Sequence, residues 1–571
     1  MIEEGEEGEE LRNERRAATE PSGHGGFLSF PIDHDSVLKH LNQDMRDDWF
    51  SDVLGYRDLF EKKDNLQAVL AGLLSEGNGQ YAGVARTLCD VPKKGLGLRY
   101  ALETDFYDRF VYQSICTFLI KYYDPLLSPR IFGHRWRDHY IEGSREKCLF
   151  KSRIELWQTF EGITHASLVD GKVILVTDLI NYFENISIEL IREAFLSKLP
   201  LIKADGQAKL HIRNAVQTLC SLLEKWSYSD RHGLPQNRDA SSFIANMVLS
   251  DVDHRMVSMG YDYFRYVDDI RIVCADDRRA RKAVADLISE LRTVGMNINS
   301  SKTEIIKLGH ERVSDFFPVS DSRSAAIDAM WKSRSRRIIS RSVPLVFGML
   351  ADLIKAGDTQ LRQFRFAVNR LKILLDSGMF VDESDVAGEL VDLVIDSLET
   401  QAVSTDQFCR VLSFLAISQE SFHRIERFML DSVISIHPWQ NYHLWMLLAL
   451  KEYKTDAIIG LAERKVAENL ASPEIPAIFV YLASVREGRA ALRQAIEHFS
   501  GEWSYQHQRY LLLATREFDK EDLRPLFGKL GIRVQGTAIR AKSYVPKQGS
   551  LVCIPRSTNL VSFYDEISVY D

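Results

Sequence analysis

The sequence holds no apolar run of the roughly 18–20 residues that a helix needs to cross a bilayer, and no signal-peptide pattern opens it. A cytoplasmic protein without a membrane anchor is therefore expected. It also lacks any cysteine pattern. Its seven cysteines (Cys89, Cys116, Cys148, Cys220, Cys274, Cys409, Cys553) are scattered, odd in number and without a Cys-x-x-Cys, which argues against a disulfide framework or a zinc site. Surplus positive charge is missing too. The formal net charge is −8, which counts against a nucleic-acid binder until the distribution is examined. Much of the acidity is local: the first twenty residues carry eight glutamates against three arginines. With almost no apolar content, residues 1–26 are expected to form a disordered acidic tail. The rest is nearly balanced. An apolar content of 45% over 571 residues supports substantial cores and two or three domains.

What the chain does have centres on Tyr266-Val267-Asp268-Asp269. Tyr263-Phe264-Arg265 precedes it and Ile270-Arg271-Ile272-Val273-Cys274 follows, with Ile270, Ile272 and Cys274 on one face of a half-buried strand. The acid pair then falls in the tight turn of a β-hairpin. Adjacent carboxylates pushed out on a strand tip are good ligands for a divalent cation, which takes oxygen donors. Alone they read equally well as a solvated turn, as do Asp47-Asp48 and Asp276-Asp277.

Upstream and downstream segments shift that balance. Val173-Ile174-Leu175-Val176-Thr177-Asp178 is an apolar run that suggests a strand buried on both faces and ending in a carboxylate. A carboxylate there is costly unless paired or metal-bound. Leu179-Ile180-Asn181-Tyr182-Phe183 follow, and Ser187 reads as the N-cap of a helix through Ile188, Leu190, Ile191 and Phe195. Gly233-Leu234-Pro235-Gln236-Asn237-Arg238-Asp239 leads into a helix rich in small residues. Gly295 to Glu304, with Lys302 able to reach a phosphate, follows an amphipathic helix over about 278–294.

In this order the segments resemble the palm motifs of reverse transcriptases. Lys93 to Arg99, Asp108-Arg109, Gln113 and Ser128 to Arg135 resemble the fingers segments of bacterial members. The resemblance spans about residues 27–315. It implies an α+β fold: right-hand polymerase fingers and palm, an antiparallel sheet with helices, followed by an all-α, helical-repeat-like region. It implies that Asp178, Asp268 and Asp269 are catalytic and hold two Mg²⁺ ions, or Mn²⁺. Three clustered acids make little sense without cations, since two unit charges about 4 Å apart repel by roughly 4 kcal/mol at an effective dielectric of about 20. By the same resemblance Phe183 is the steric gate against a ribose 2′-hydroxyl, and Gln236, Arg99 and Lys302 contact the incoming nucleotide, with Lys94 a weaker companion of Arg99. Asn237 stands where most of the family has Gly. That loop, the tyrosine-rich Tyr107 to Tyr123 segment and the long helical half resemble the bacterial antiphage-defence (abortive-infection and "unknown group") enzymes. The implied partners are deoxynucleoside triphosphates, RNA or DNA, and a phage trigger. Two further readings stand beside RNA-templated DNA synthesis: template-independent synthesis primed by a protein tyrosine, and a non-catalytic polymerase-like phage sensor or scaffold. A group II intron or retron enzyme is disfavoured by the missing zinc region and the long helical half.

Beyond the palm, Arg334, Arg337 and Arg341 are expected to share a helical face, which reads either as a nucleic-acid-tracking surface or as a solvated face. Residues 326–535 read as successive amphipathic helices in a solenoid-like array, a thumb, product channel or oligomer contact. Ser472-Pro473-Glu474 reads as one helix start. The expected divisions are a tail over 1–26, fingers and palm over 27–325, the helical region over 326–535, and an unassigned tail with β-like stretches over 536–571.

Overall fold

A computed structural model describes residues 28–552, apart from 46–47, 78, 80, 138–148, 228–230, 312, 318–321, 381–384 and 546–548. The acidic tail, Cys148, Cys553, Tyr564 and Tyr570 lie outside the described residues. Two compact units emerge, and their division differs from the single cut expected at 325/326. One unit comprises residues 1–48, 62–86 and 104–317; the other comprises 49–61, 87–103 and 318–571. Two early segments thus belong with the C-terminal helices.

The first unit is built on a four-stranded antiparallel sheet in which Val173–Asp178 lies between Asp269–Cys274 and Glu304–Lys307, and Asp262–Tyr266 lies on the outer side of Asp269–Cys274. Its strands are β3 (Val173–Asp178), β4 (Asp262–Tyr266), β5 (Asp269–Cys274) and β6 (Glu304–Lys307). Strand β3 is buried along its whole length, in keeping with its unbroken apolar run. The half-buried reading of β5 is corrected: Arg271 and Val273 are buried as well as Ile270, Ile272 and Cys274, because both faces of the sheet are covered. One face, carrying Ile174, Val176, Phe264, Val273 and Ile306, packs with Phe160 and Phe317. The other meets the helices Asp239–Ser258 and Asp277–Thr293. Arg271 tolerates burial because its guanidinium lies between the rings of Phe160 and Phe317 (4.7 and 4.5 Å to the centroids) and donates to Thr164 Oγ1 and the Phe316 carbonyl.

The second unit contains the hairpin β1 (Thr87–Pro92) and β2 (Leu98–Glu103) and two rows of helices. Arg362–Asp376, Thr405–Phe414, Pro438–Lys451, Ile475–Val485 and Tyr505–Ala514 pack in succession. Val343–Lys355, Asp385–Asp396, Gln419–Leu430, Asp456–Glu468 and Arg489–Glu497 form the second row. Each helix meets the next of its own row, the stacking of an α-solenoid. Residues 49–61 are bound into this unit. The Trp49 carbonyl accepts from Trp439 Nε1 (2.9 Å), the Ser51 carbonyl accepts from Tyr442 and Tyr510 hydroxyls (3.1 Å each), and Arg509 binds Asp52 and Asp58. Two local readings change. The helix after Ser472-Pro473-Glu474 begins at Ile475 with Pro476 in its first turn. After Gly536 the chain first forms a short helix, Thr537–Ala541, and residues 553–571 of the expected β-like stretch lie outside the described residues.

Candidate active site

Register in the palm sheet sets the arrangement. Strands β3 and β5 pair so that Asp178 lies opposite Asp269, with Val176 opposite Arg271 and Ile174 opposite Val273. Both acids therefore continue the apolar face of the sheet at the point where its apolar residues end. Directly opposed residues in an antiparallel pair sit roughly 4.5–5.5 Å apart, where two unit charges repel by about 3 kcal/mol at an effective dielectric of about 20. Asp268 occupies the two-residue turn between β4 and β5, beside Val267, whose φ is 56°. Turns of this length need a positive φ to match strand twist.

The electrostatics follow from this crowding. Burial, with the charges of Asp269 and Asp178, pushes the Asp268 carboxyl up to about 8. Burial and Asp178 push Asp269 up to about 6, against the opposing pull of Arg271 and Lys302. The Lys302 ammonium contacts Asp178 Oδ2 directly, and its proton is held more tightly through that bond and the charges of all three acids, despite partial burial. Asp178 Oδ1 is buried with no hydrogen-bond partner.

The neighbouring segments are tied to the end of β3. Asn299 N donates to the Asp178 carbonyl (2.7 Å), Ile180 N to the Asn297 carbonyl (3.1 Å), and the Thr177 and Thr303 hydroxyls meet at 2.7 Å. This brings the 295–303 segment, and Lys302 with it, alongside. The Ser187 side chain accepts from Leu190 N and starts the Ile188–Leu196 helix. The Gly233 loop is laced to the same region: Leu234 N donates to the Phe183 carbonyl and Gly233 N to the Ile186 carbonyl, each 2.9 Å. Gln236 Nε2 donates to Glu184 Oε1 at 3.1 Å, next to the half-buried Phe183. Asn237 has a φ of 58°, a left-handed conformation that Asn adopts more readily than most residues.

Asp178, Asp268, Asp269 and Lys302 thus interact directly, and Phe183 and Gln236 stand on segments bonded to one another. The remaining candidates belong to the other unit. Arg99 lies on β2 with its guanidinium 5.9 Å from the Trp49 ring centroid, and Lys94 pairs with Asp358 at 3.1 Å. The shared helical face expected of Arg334, Arg337 and Arg341 is not formed. Arg334 has a φ of 59° ahead of the N-cap Ser335, the helix runs only from Arg336 to Ser340, and Arg341 is its C-cap.

Sequence reasoning missed the polar groups that hold the Gly233 loop from behind. Arg109 binds Asp44 (3.0 Å) and Asp48, and Arg238 binds Asp48 (3.1 Å). Asp239 accepts from or contacts His134 Nε2 at 3.0 Å, while its backbone N–H donates to Asp44 Oδ1. Arg109 was visible as part of a fingers segment, but nothing in the sequence pairs it with acids more than sixty residues away.

Residues 107–337 match the family model described as reverse transcriptase (RNA-dependent DNA polymerase). The chain carries a reverse transcriptase domain. Such enzymes are RNA-directed DNA polymerases, and the family generally uses divalent metal ions. Among solved structures the chain is similar to apo telomerase from Candida tropicalis, at 12% identity over 61% of this chain and 74% of that one, with a TM-score of 0.29. It is similar also to telomerase from Candida albicans in complex with a fragment of telomeric RNA, at 10% identity over 59% and 67% of the two chains, with a TM-score of 0.28. No curated protein gives a significant sequence match. Among the described residues no helix is long and apolar enough to cross a membrane, and no group of three His, Cys, Asp or Glu side chains is already arranged to hold a metal ion. The donor set nonetheless suits one: a buried carboxylate oxygen without a partner, mutually repelling acids, and a lysine ammonium resting on the first of them.

Proposed function

We propose that the reverse transcriptase domain polymerises deoxynucleotides by nucleotidyl transfer at Asp178, Asp268 and Asp269. These carboxylates would hold divalent cations, Mg²⁺ or Mn²⁺, which supply charge neutralisation and a more acidic primer hydroxyl when bound. The observation that carries the reading is the opposition of Asp178 and Asp269 across β3 and β5, with Asp268 in the adjoining turn. Lys302 would exchange its contact with Asp178 for phosphate oxygens of the nucleotide. Phe183 would close the sugar pocket against a 2′-hydroxyl, and Gln236, its amide oriented by Glu184, would lie along the nucleotide.

The biological role we propose is antiphage defence. It rests on the resemblance of the motifs and the long helical region to that bacterial group. The test combines both levels. Purified protein is incubated with labelled deoxynucleotides, with and without RNA, beside Asp268→Asn/Asp269→Asn. Polymerisation by the parent and none by the variant is expected. Equal incorporation by the two overturns the assignment. Host cells expressing the parent should resist a phage panel and cells expressing the variant should not; equal plaque counts would remove the defence role.

A further inference from the structure

The turn that carries Asp268 is held by a buried polar arrangement that the proposed chemistry does not itself use. Val267 sits at a φ of 56°, unfavourable for a β-branched residue. Its carbonyl accepts from Arg265 Nη1 at 2.7 Å, and the same nitrogen donates to Asn246 Oδ1 at 2.9 Å. Arg265 Nε and Nη2 donate to the two oxygens of Asp253 at 2.8 and 2.6 Å. Arg265, Asn246 and Asp253 are each 0% exposed. Asn246 and Asp253 are two turns apart on the Asp239–Ser258 helix, so they share one face of it. Asn246 Nδ2 donates in turn to the Gly133 carbonyl at 2.6 Å. Gly133 closes the arrangement from the far side: a Cβ there would stand 2.6 Å from Val267 Cγ2 and 3.1 Å from the Val267 backbone nitrogen.

A fully buried ion pair is a poor source of net stability, because desolvation offsets most of the attraction. It does confer direction. A guanidinium fixed on one edge by a bidentate carboxylate presents its remaining N–H groups in a set plane, here toward one carbonyl of a strained turn. We propose that Arg265 is a positioning residue for polymerisation. Oriented by Asp253 and Asn246, it holds the Val267 carbonyl while Gly133 gives the turn room to lie flat, and together they keep Asp268 beside Asp178 and Asp269. This inference rests on the reading of Asp268 as a cation ligand.

Two variants approach the arrangement from opposite sides. Arg265→Lys keeps the charge opposite Asp253 but not the planar fork. Gly133→Ala leaves the ion pair intact and crowds Val267. Three measurements are made on the full chain: hydrogen exchange of the 262–274 segment without metal, thermal unfolding, and primer extension against Mn²⁺ concentration. Each folded variant is expected to exchange at least 10-fold faster at Val267 to Asp269, to lose at least 10-fold in kcat, and to need more Mn²⁺, with KM for primer and template changed less than threefold. Parent-like exchange and kcat in either folded variant overturns the proposal, and failure of one variant to fold leaves the other to decide. Asp268→Asn run in parallel separates the two levels. If it remains active, the cation-ligand reading itself has failed; if it is inactive while the positioning variants behave as the parent, only the role of Arg265 is lost.

Discussion

Replacing Arg509 by Leu should unfold the helical unit many degrees below the parent. Arg509 and its partners Asp52 and Asp58 have side chains no more than 1% exposed. The guanidinium donates four hydrogen bonds: Nε and Nη2 to Asp52 at 2.7 and 3.0 Å, and Nη1 and Nη2 to Asp58 at 3.0 and 2.7 Å. Leucine would leave two carboxylates facing each other without a cation. Removing one partner of a buried pair costs about 3–5 kcal/mol, and a unit of this size loses roughly 2–4 °C in Tm per kcal/mol. The product is a fall of about 6–20 °C. Circular dichroism on heating measures it, and hydrogen exchange in the Tyr505–Ala514 helix assigns the transition to this unit. Neutralising the acids as well, in Arg509→Leu/Asp52→Asn/Asp58→Asn, should recover more than half of the loss. A fall of less than 2 °C in Arg509→Leu would refute the reasoning, since it would mean that the carboxylates are solvated or protonated at little cost.

The raised carboxyls of Asp268 and Asp269 make stability pH-dependent in a definite direction. An acid whose folded pKa lies above its unfolded value binds more protons when folded, so its contribution is complete below about pH 4 and is lost progressively from there as pH rises through about 6 for Asp269 and about 8 for Asp268. In EDTA the Tm of the palm unit should therefore fall across that window, Asp268→Asn should flatten the fall, and Mn²⁺ should restore Tm at pH 8 in the parent only; a flat parent profile contradicts the crowding argument. Phe183→Ala should raise ribonucleotide incorporation at least 10-fold relative to deoxynucleotide, read from competing triphosphates in primer extension, and unchanged discrimination would remove its gate role. Glu184→Ala should raise the nucleotide KM several-fold at near-parent kcat by releasing the Gln236 amide, and no change in KM would show that the Gln236 to Glu184 bond does not matter.

The palm was legible because its signals are local. An unbroken apolar run ending in Asp178 reads as a strand on its own, Ser187 caps its helix through a neighbour three residues on, and an acid pair between two short β-type runs reads as a hairpin. What decides the site, the opposition of Asp178 and Asp269, needs a register that pattern alone does not supply; the order of motifs supplied it. The second face of β5 was misjudged because Arg271 looks like a solvent-facing residue, and only the rings of Phe160 and Phe317 make its burial tolerable. The helical region was legible as a solenoid-like array, but which helix meets which was not, since row contacts skip one helix. Arg509 with Asp52, and Arg265 with Asp253, were invisible for a simpler reason: a charged residue in a sequence reads as surface until its partner is known.

The route of the polypeptide has a consequence for how this protein is made. Asp52 and Arg509 are separated by 457 residues. At roughly 5–20 residues per second on the ribosome, about 20–90 s pass between the emergence of one and the other. During that interval the segment from Trp49 to Glu61 has been synthesised, yet the helices that bind it do not exist. It leaves the exit tunnel without its partners, and a premature stop before Arg509 leaves Asp52 and Asp58 without their cation. Cutting the gene at residue 318 therefore separates neither half cleanly: one product keeps an orphaned segment, and the other lacks the piece that Trp439, Tyr442 and Arg509 bind.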